Sequence, residues 1–241
     1  MIRLDKYLAD AGAGTRSEVK LLIRKGRITV NSMIEKSPDR KIEPGKDEVC
    51  LDQTPVEQQE KYAYYLLHKP AGYICATEDS KLPTVMELLP EKEKGLFPVG
   101  RLDRDSEGLL LITNDGMLAH RLLSPAKHVD KTYYVRLEHC LTAEDEERLR
   151  SGVDIGDEKP TLPAEVVPLS PEGREIKITI REGRFHQIKR MAEAVGNKVL
   201  YLKRISMGTL ILPEDLPKGE YKRLTPAELN ELKKGSGGHE A

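Results

Sequence analysis

Arg101-Leu-Asp-Arg-Asp105 sets two carboxylates and two guanidinium groups within five residues, in a segment bounded by Gly100 and Gly108. Carboxylates in such a segment serve as nucleophiles, general bases or cation ligands, and flanking arginines are expected to keep Asp103 or Asp105 ionised and well aimed. Three readings compete for them. Charges on a solvated loop commonly pair only with each other, to little energetic effect. Asp103, Asp105, Glu107 and Gly108 also imitate the opening of a calcium loop. The twelfth position of that pattern needs a bidentate glutamate and here is Asn114, and a strand-like Leu-Leu-Leu-Ile run lies between. The calcium reading is set aside. The third reading is a nucleophilic or general-base aspartate on a loop that a rigid scaffold positions.

The scaffold has to come from the neighbouring patterns. Leu109–Thr113 is an apolar run of strand length, and Asn114-Asp-Gly116 has the composition of a tight turn with positive φ. Met117–Ser124 has helical spacing. Upstream, Tyr62–His68 reads as a strand, Lys69-Pro-Ala-Gly72 as a tight turn, Tyr73–Thr77 as a second strand, and Leu82–Leu89 as a short helix opened by a proline and Thr84. Downstream, Lys131–Leu137 alternates as a half-buried strand does, and Thr142 caps an acidic helix to Arg150. Ala164–Leu169 and Glu175–Arg181 are strands around a Pro171-Glu-Gly turn. A second charged stretch, Glu182-Gly-Arg-Phe-His-Gln-Ile-Lys-Arg-Met191, runs into a helix to Val195 and gathers Arg184, His186, Lys189 and Arg190 within seven residues. A basic strand, Lys198–Ile205, a strand-and-turn segment from Gly208 to Tyr221 and a helix capped by Thr225 with Glu228 follow.

The N-terminal part differs in charge. The whole chain carries a formal net charge of −1, yet residues 1–41 hold ten Lys/Arg against five acids, a net of +5. Charge segregated to one end points to a nucleic-acid contact. Leu4, Tyr7, Leu8 and Ala11 recur at helical spacing before Gly12. Thr15 and Glu18 form a capping box for a second helix, with Val19, Leu22 and Ile23 inward and Arg16, Lys20, Arg24 and Lys25 outward. Arg27–Asn31 and Glu48–Leu51 read as short strands. Residues 53–61 are a polar linker, and residues 235–241 are an expected disordered tail. Three widely spaced cysteines fit a reducing cytosol, and there is no 18-residue apolar run. The expectation is a cytoplasmic protein with no membrane span.

Gly100-Arg-Leu-Asp103 followed by Glu107-Gly-Leu-Leu-Leu-Ile-Thr-Asn-Asp-Gly116 resembles the signature of RNA pseudouridine synthases, within the branch that modifies ribosomal RNA and carries an extra N-terminal RNA-binding domain. Residues 1–52 resemble that domain, the S-four-like module named after a small-subunit ribosomal protein, and residues 62–234 would be the catalytic domain. Lys69-Pro-x-Gly72 resembles the opening of that domain, Lys131-Thr-Tyr133 its second motif, and the 182–191 stretch its third. Gly72–Asp79 and the third motif look most like the small-subunit (16S) branch, although large-subunit (23S) relatives share all three motifs. The resemblance implies an α+β protein with a small, mostly helical first domain and a larger one on a mixed, mainly antiparallel sheet.

It also implies an isomerase that detaches uracil from its ribose and reattaches it through carbon 5. Such a reaction needs no cofactor, in keeping with a chain that has no phosphate-cradling glycine loop, nucleotide fingerprint or metal-ligand cluster. It does need a nucleophile and a base taken out of its stack. By resemblance Asp103 is that nucleophile, Tyr133 stacks on the extruded base and moves a proton, and Ile188 lies against the site. The cation after Ile188 pairs with the aspartate. Many family members have arginine there and this chain has Lys189, which keeps the charge without the bidentate fork, so Arg190 competes for the role. Arg101 would assist the pair. Arg184, His186 and Arg190, with Arg16, Lys20, Arg24 and Lys25 of the first domain, would hold the RNA backbone. The implied partner is ribosomal RNA, 16S favoured, or a small-subunit assembly particle, met by a monomer with no metal.

Overall fold

A computed structural model describes residues 1–56, 62–90, 95–170 and 173–235. The chain divides into two compact units, Met1–Lys61 and Tyr62–Ala241. The greater part of the expected linker (57–61), Pro171 and Glu172 of the expected turn, and tail residues 236–241 lie outside the described residues.

In the first unit, β1 (Ile2–Arg3) leads into α1 (Leu4–Asp10) and α2 (Arg16–Arg24), followed by β2 (Ile28–Val30), β3 (Met33–Ile34), β4 (Lys41–Ile42), β5 (Val49–Leu51) and β6 (Thr54–Pro55). Leu4, Leu8, Val19, Ile23, Ile28 and Val30 form one fully buried core. The capping box stands as the spacing predicts: the Glu18 backbone N–H donates to Thr15 Oγ1 at 3.4 Å, and the Thr15 N–H donates to Glu18 Oε2 at 2.8 Å. Thr54 and Pro55 depart from the linker expectation by pairing with Cys50 and Leu51 as an edge strand. β3 and β4 are two residues long, too short for any periodicity to reveal.

The second unit is built on a nine-stranded sheet. Its elements are β7 (Tyr64–Lys69), β8 (Phe97–Val99), β9 (Glu107–Thr113), α3 (Gly116–Leu123), β10 (Lys131–Leu137), α4 (Ala143–Ser151), β11 (Glu165–Pro168), β12 (Glu175–Ile180), α5 (Gln187–Ala194), β13 (Val199–Met207), β14 (Leu210–Ile211), β15 (Tyr221–Arg223) and α6 (Pro226–Gly235). The strand order is β11-β12-β10-β13-β9-β7-β15, with β14 on β13 and β8 on β9. β9 and β13 run parallel and the other pairs antiparallel. The sheet is mixed and mainly antiparallel, and the protein is α+β.

β9 is buried along its whole length, which is why its sequence is continuously apolar and does not alternate. Leu109 and Leu111 pack on one face with Leu118 and Leu122 of α3 and Leu232 of α6. Leu110 and Ile112 pack on the other with Val85, Leu89 and Leu96. Two expectations are corrected beside it. Asn114-Asp-Gly116 makes no positive-φ turn: Asp115 is the N-cap of α3, its Oδ1 accepting the Leu118 N–H at 3.0 Å, and Gly116 is helical. Tyr73–Thr77 is no strand either. Apart from an isolated bridge between Ile74 and Thr84, that segment is irregular, and Leu82–Leu89 contains only a 3-10 turn at Val85–Leu88.

Candidate active site

The loop ahead of β9 is held from beneath by a side chain that the sequence leaves inconspicuous. Lys69 ends β7, is wholly buried, and donates from Nζ to the carbonyls of Ser106 (2.7 Å), Asp103 (3.0 Å), Pro70 (3.1 Å) and Arg104 (3.4 Å). Burial draws its pKa below the ordinary lysine value, against the opposing pull of Cys75, Asp105, Glu107 and Asp103. The Gly72 N–H donates to the Arg104 carbonyl at 2.7 Å, and Arg104 Nε donates back to the Gly72 carbonyl at 3.2 Å. Cys75 Sγ accepts the Leu102 N–H at 3.2 Å. The backbone of residues 102–106 is therefore fixed on both sides of Asp103. The loop then enters the sheet at Gly108, whose φ of +108 and whose contact with the Arg204 backbone leave no room for a Cβ.

α5 brings the opposing charge. Lys189 Nζ lies 2.9 Å from Asp103 Oδ2 and donates to Asp105 Oδ1 at 2.7 Å. His186 Nε2 stands 3.4 Å from Asp103 Oδ1. Burial opposes the Lys189 charge, but its bonds to Asp105 and Asp103 more than offset this, so its pKa lies above the ordinary lysine value. Burial likewise opposes the charge of Asp105, and the Lys189 hydrogen bond and charge bring its pKa below the usual carboxylate value. One ammonium thus bridges two carboxylates, Asp103 three-quarters buried and Asp105 mostly exposed.

These groups open on a cleft lined among others by Arg101, Asp103, Tyr133, His186, Ile188 and Leu202. Tyr133 reaches it from β10 and Ile188 from α5, both nearly buried. Ser106 lines it too, with a buried hydroxyl that has no hydrogen-bond partner among the described residues. The arrangement offers a carboxylate with a counter-cation, an aromatic wall and an apolar floor, which suits attack on a planar, uncharged group.

Several expected partners stand elsewhere. Arg101 lines the cleft, but among the described residues no ion pair joins it to Asp103, and Arg104 turns to Gly72. The counter-charge comes from Lys189, 86 positions downstream, and not from the adjacent guanidinium groups. Arg190 does not compete with it: its guanidinium holds Asp157 and the Ile155 and Phe185 carbonyls. Arg184 pairs with Glu182 and Asp157 and donates to the Lys159 and Pro160 carbonyls. Both of these arginines, expected to grip RNA, instead bind the 155–160 loop, Arg190 from α5 and Arg184 from the segment just before it. In the first unit Arg16 and Lys20 each approach the buried Asp5 at 3.9 Å, whereas Arg24 and Lys25 are exposed.

Residues 63–194, more than half of the chain, match the model of a family described as RNA pseudouridylate synthase. The chain belongs to this family. Residues 2–49 match the model of the S4 domain, so an RNA-binding module precedes the pseudouridine synthase domain, and the protein is an isomerase by family. Over 235 residues the chain is 46% identical to an uncharacterized RNA pseudouridine synthase of Bacillus subtilis (strain 168), covering 96% of this chain and 98% of that one. Over 230 residues it is 40% identical to the ribosomal small subunit pseudouridine synthase A of Escherichia coli (strain K12), covering 95% and 98%. A crystal structure of a pseudouridylate synthase superposes with a TM-score of 0.68 at 35% identity, over 96% of this chain and 100% of that one. The synthase also has no helix, among the described residues, long and apolar enough to cross a membrane.

Proposed function

We propose that the chain converts a uridine of 16S ribosomal RNA to pseudouridine, acting as a cytoplasmic, cofactor-free monomer, with Asp103 as the nucleophile. The observation that carries this reading is the Lys189–Asp103 ion pair at 2.9 Å, set in a cleft walled by Tyr133 and Ile188. The Escherichia coli relative whose name specifies the ribosomal small subunit supports the choice of RNA.

Uridine enters the cleft extruded from its stack. Asp103 attacks the nucleoside while Lys189 holds the carboxylate in position from Oδ2 and His186 faces Oδ1. The bond from the sugar to N1 breaks, the uracil turns within the cleft, a bond forms from the sugar to carbon 5, and the bond to the Asp103 carboxylate breaks to release the enzyme unchanged. Carbon 5 loses its proton and N1 gains one, so the sum is an isomerisation. Tyr133 stacks on the base and passes the proton, and Ile188 excludes water from the ring. The cations of the first unit fasten the phosphate backbone, which sets affinity and register.

The test is tritium release from 16S rRNA labelled at carbon 5 of uridine, with 23S rRNA in parallel and the Asp103→Asn chain as control. Release equal to one site on 16S alone, absent in the variant while RNA affinity persists, is the expected result. Release from 23S alone would overturn the substrate, and equal release by Asp103→Asn would overturn the nucleophile.

A further inference from the structure

One large apolar side chain, stacked on the cleft-lining His186, is used by none of the steps above. Phe185 is 69% exposed, and a lone exposed phenylalanine needs no explanation in itself. Its surroundings set it apart. The Phe185 ring lies flat on the imidazole of His186, with centroids 3.8 Å apart and planes 19° from parallel. The other edge of that imidazole faces Asp103 at 3.4 Å. His186 sits in the left-handed region at φ 48, a conformation that a non-glycine residue keeps only when its neighbours impose it.

The neighbours here do so. The Phe185 carbonyl accepts from Arg190 Nη1 at 3.2 Å, and the Arg190 guanidinium is tied in turn to Asp157 and the Ile155 carbonyl. The Arg184 N–H donates to Gln187 Oε1 at 3.0 Å. The backbone carrying the ring is therefore braced on both sides while the outer face of the ring remains bare. A braced ring forfeits little freedom when something stacks on it.

Extruding a uridine removes the stacking partner of its neighbours in the RNA, and each freed base presents an open π-face. Aromatic side chains take up such faces whatever the base. We propose that Phe185, backed by His186, is the stacking platform for the nucleobase that flanks the extruded uridine, an inference that rests on the uridine-isomerising reading above. Phe185 would thus hold the opened RNA beside His186 while Asp103 acts on the uridine within, and the two rings together would transmit the position of the flanking base to the aspartate.

The chain has no tryptophan, so Phe185→Trp places a single tryptophan reporter beside His186, read with excitation that spares the tyrosines. Its emission is expected to be quenched when unlabelled 16S rRNA binds, also in the double variant with Asp103→Asn, which binds without turning over. Phe185→Ala and Phe185→Leu are expected to lower kcat/KM for tritium release about five- to hundredfold. Leucine fails with alanine because it restores apolar bulk without a π-face, whereas Phe185→Trp recovers most of the loss. Unchanged tryptophan emission on binding, or a Phe185→Leu chain as active as the unsubstituted one, would overturn the inference while leaving Asp103 chemistry standing. No release by the unsubstituted chain from 16S or 23S rRNA would bring down the underlying reading, and the platform with it.

Discussion

At the scale of single residues, one cation supplies the charge that the sequence distributes over several. Lys189 stands against Asp103 and Asp105 together, without the fork of an arginine. Lys189→Met is expected to lower kcat on the order of 10²–10³-fold with RNA affinity little changed, since the charge acts at the carboxylate proposed to react. Single-turnover tritium release beside filter binding measures both, and an equal loss in each would make Lys189 a phosphate contact instead. Lys69 acts one step further back, as a positioning residue. Lys69→Met leaves loop carbonyls without a donor and is expected to cost about 2–4 kcal/mol of stability. It would also cost about 10²-fold in kcat through misplacement of Asp103. Its pH dependence has a definite sign. The folded state binds the Lys69 proton more weakly than the unfolded state, whose value is the ordinary 10.5, so unfolding takes up a proton between those two values. Stability of the unsubstituted chain should therefore rise relative to Lys69→Met as pH climbs through that window. Urea midpoints at neutral and alkaline pH would show it, and a gap that narrows would refute the assignment.

At the scale of elements, the seam between β9 and β13 is where loop and sheet meet. Gly108 faces the Arg204 backbone so closely that a Cβ would lie 2.2 Å from its carbonyl oxygen. Gly108→Ala combines that clash with a positive φ and is expected to cost on the order of 3 kcal/mol, read from the urea midpoint. A change below about 1 kcal/mol would mean that the seam yields. What the sequence makes legible follows from how local each cause is. The Thr15 and Thr225 caps lie within three residues of their partners and are read correctly. β9 stands out because burial on both faces writes a continuous apolar run. Asn114-Asp-Gly116 misleads because an aspartate serves a turn or a helix cap equally well, and only the packing of Leu118 and Leu122 on β9 decides between them. Arg184 and Arg190 read as RNA contacts because their acceptors lie 24 to 35 positions upstream, in a loop that carries no periodicity. Lys69 is invisible for the same reason, its loop acceptors lying 34 to 37 residues away. Asp103, Tyr133, Ile188 and Lys189 come from three elements, and it is their resemblance to family motifs that gathers them before the fold does.

At the scale of the whole molecule, the two units divide the labour that the composition suggests. The overall charge is near neutral, so affinity for a polyanion has to come from local surfaces. Arg24 and Lys25 stand exposed on and just past α2. Arg24→Gln with Lys25→Gln is expected to weaken RNA binding and to reduce the slope of log affinity against log salt by about 1.4–1.8, with kcat at saturation unchanged. An unaltered slope would place the phosphate contacts elsewhere. The buried end of Lys69 gives the chain one further property. An amine-reactive reagent reaches exposed lysines at once, but reaches this nitrogen only while β7 is parted from residues 103–106. The rate at which Lys69 is labelled is therefore a clock for the breathing of the loop that carries Asp103. Labelling as fast as that of surface lysines would describe a loop open much of the time, and labelling slowed further by bound 16S rRNA would describe one that bound RNA holds shut.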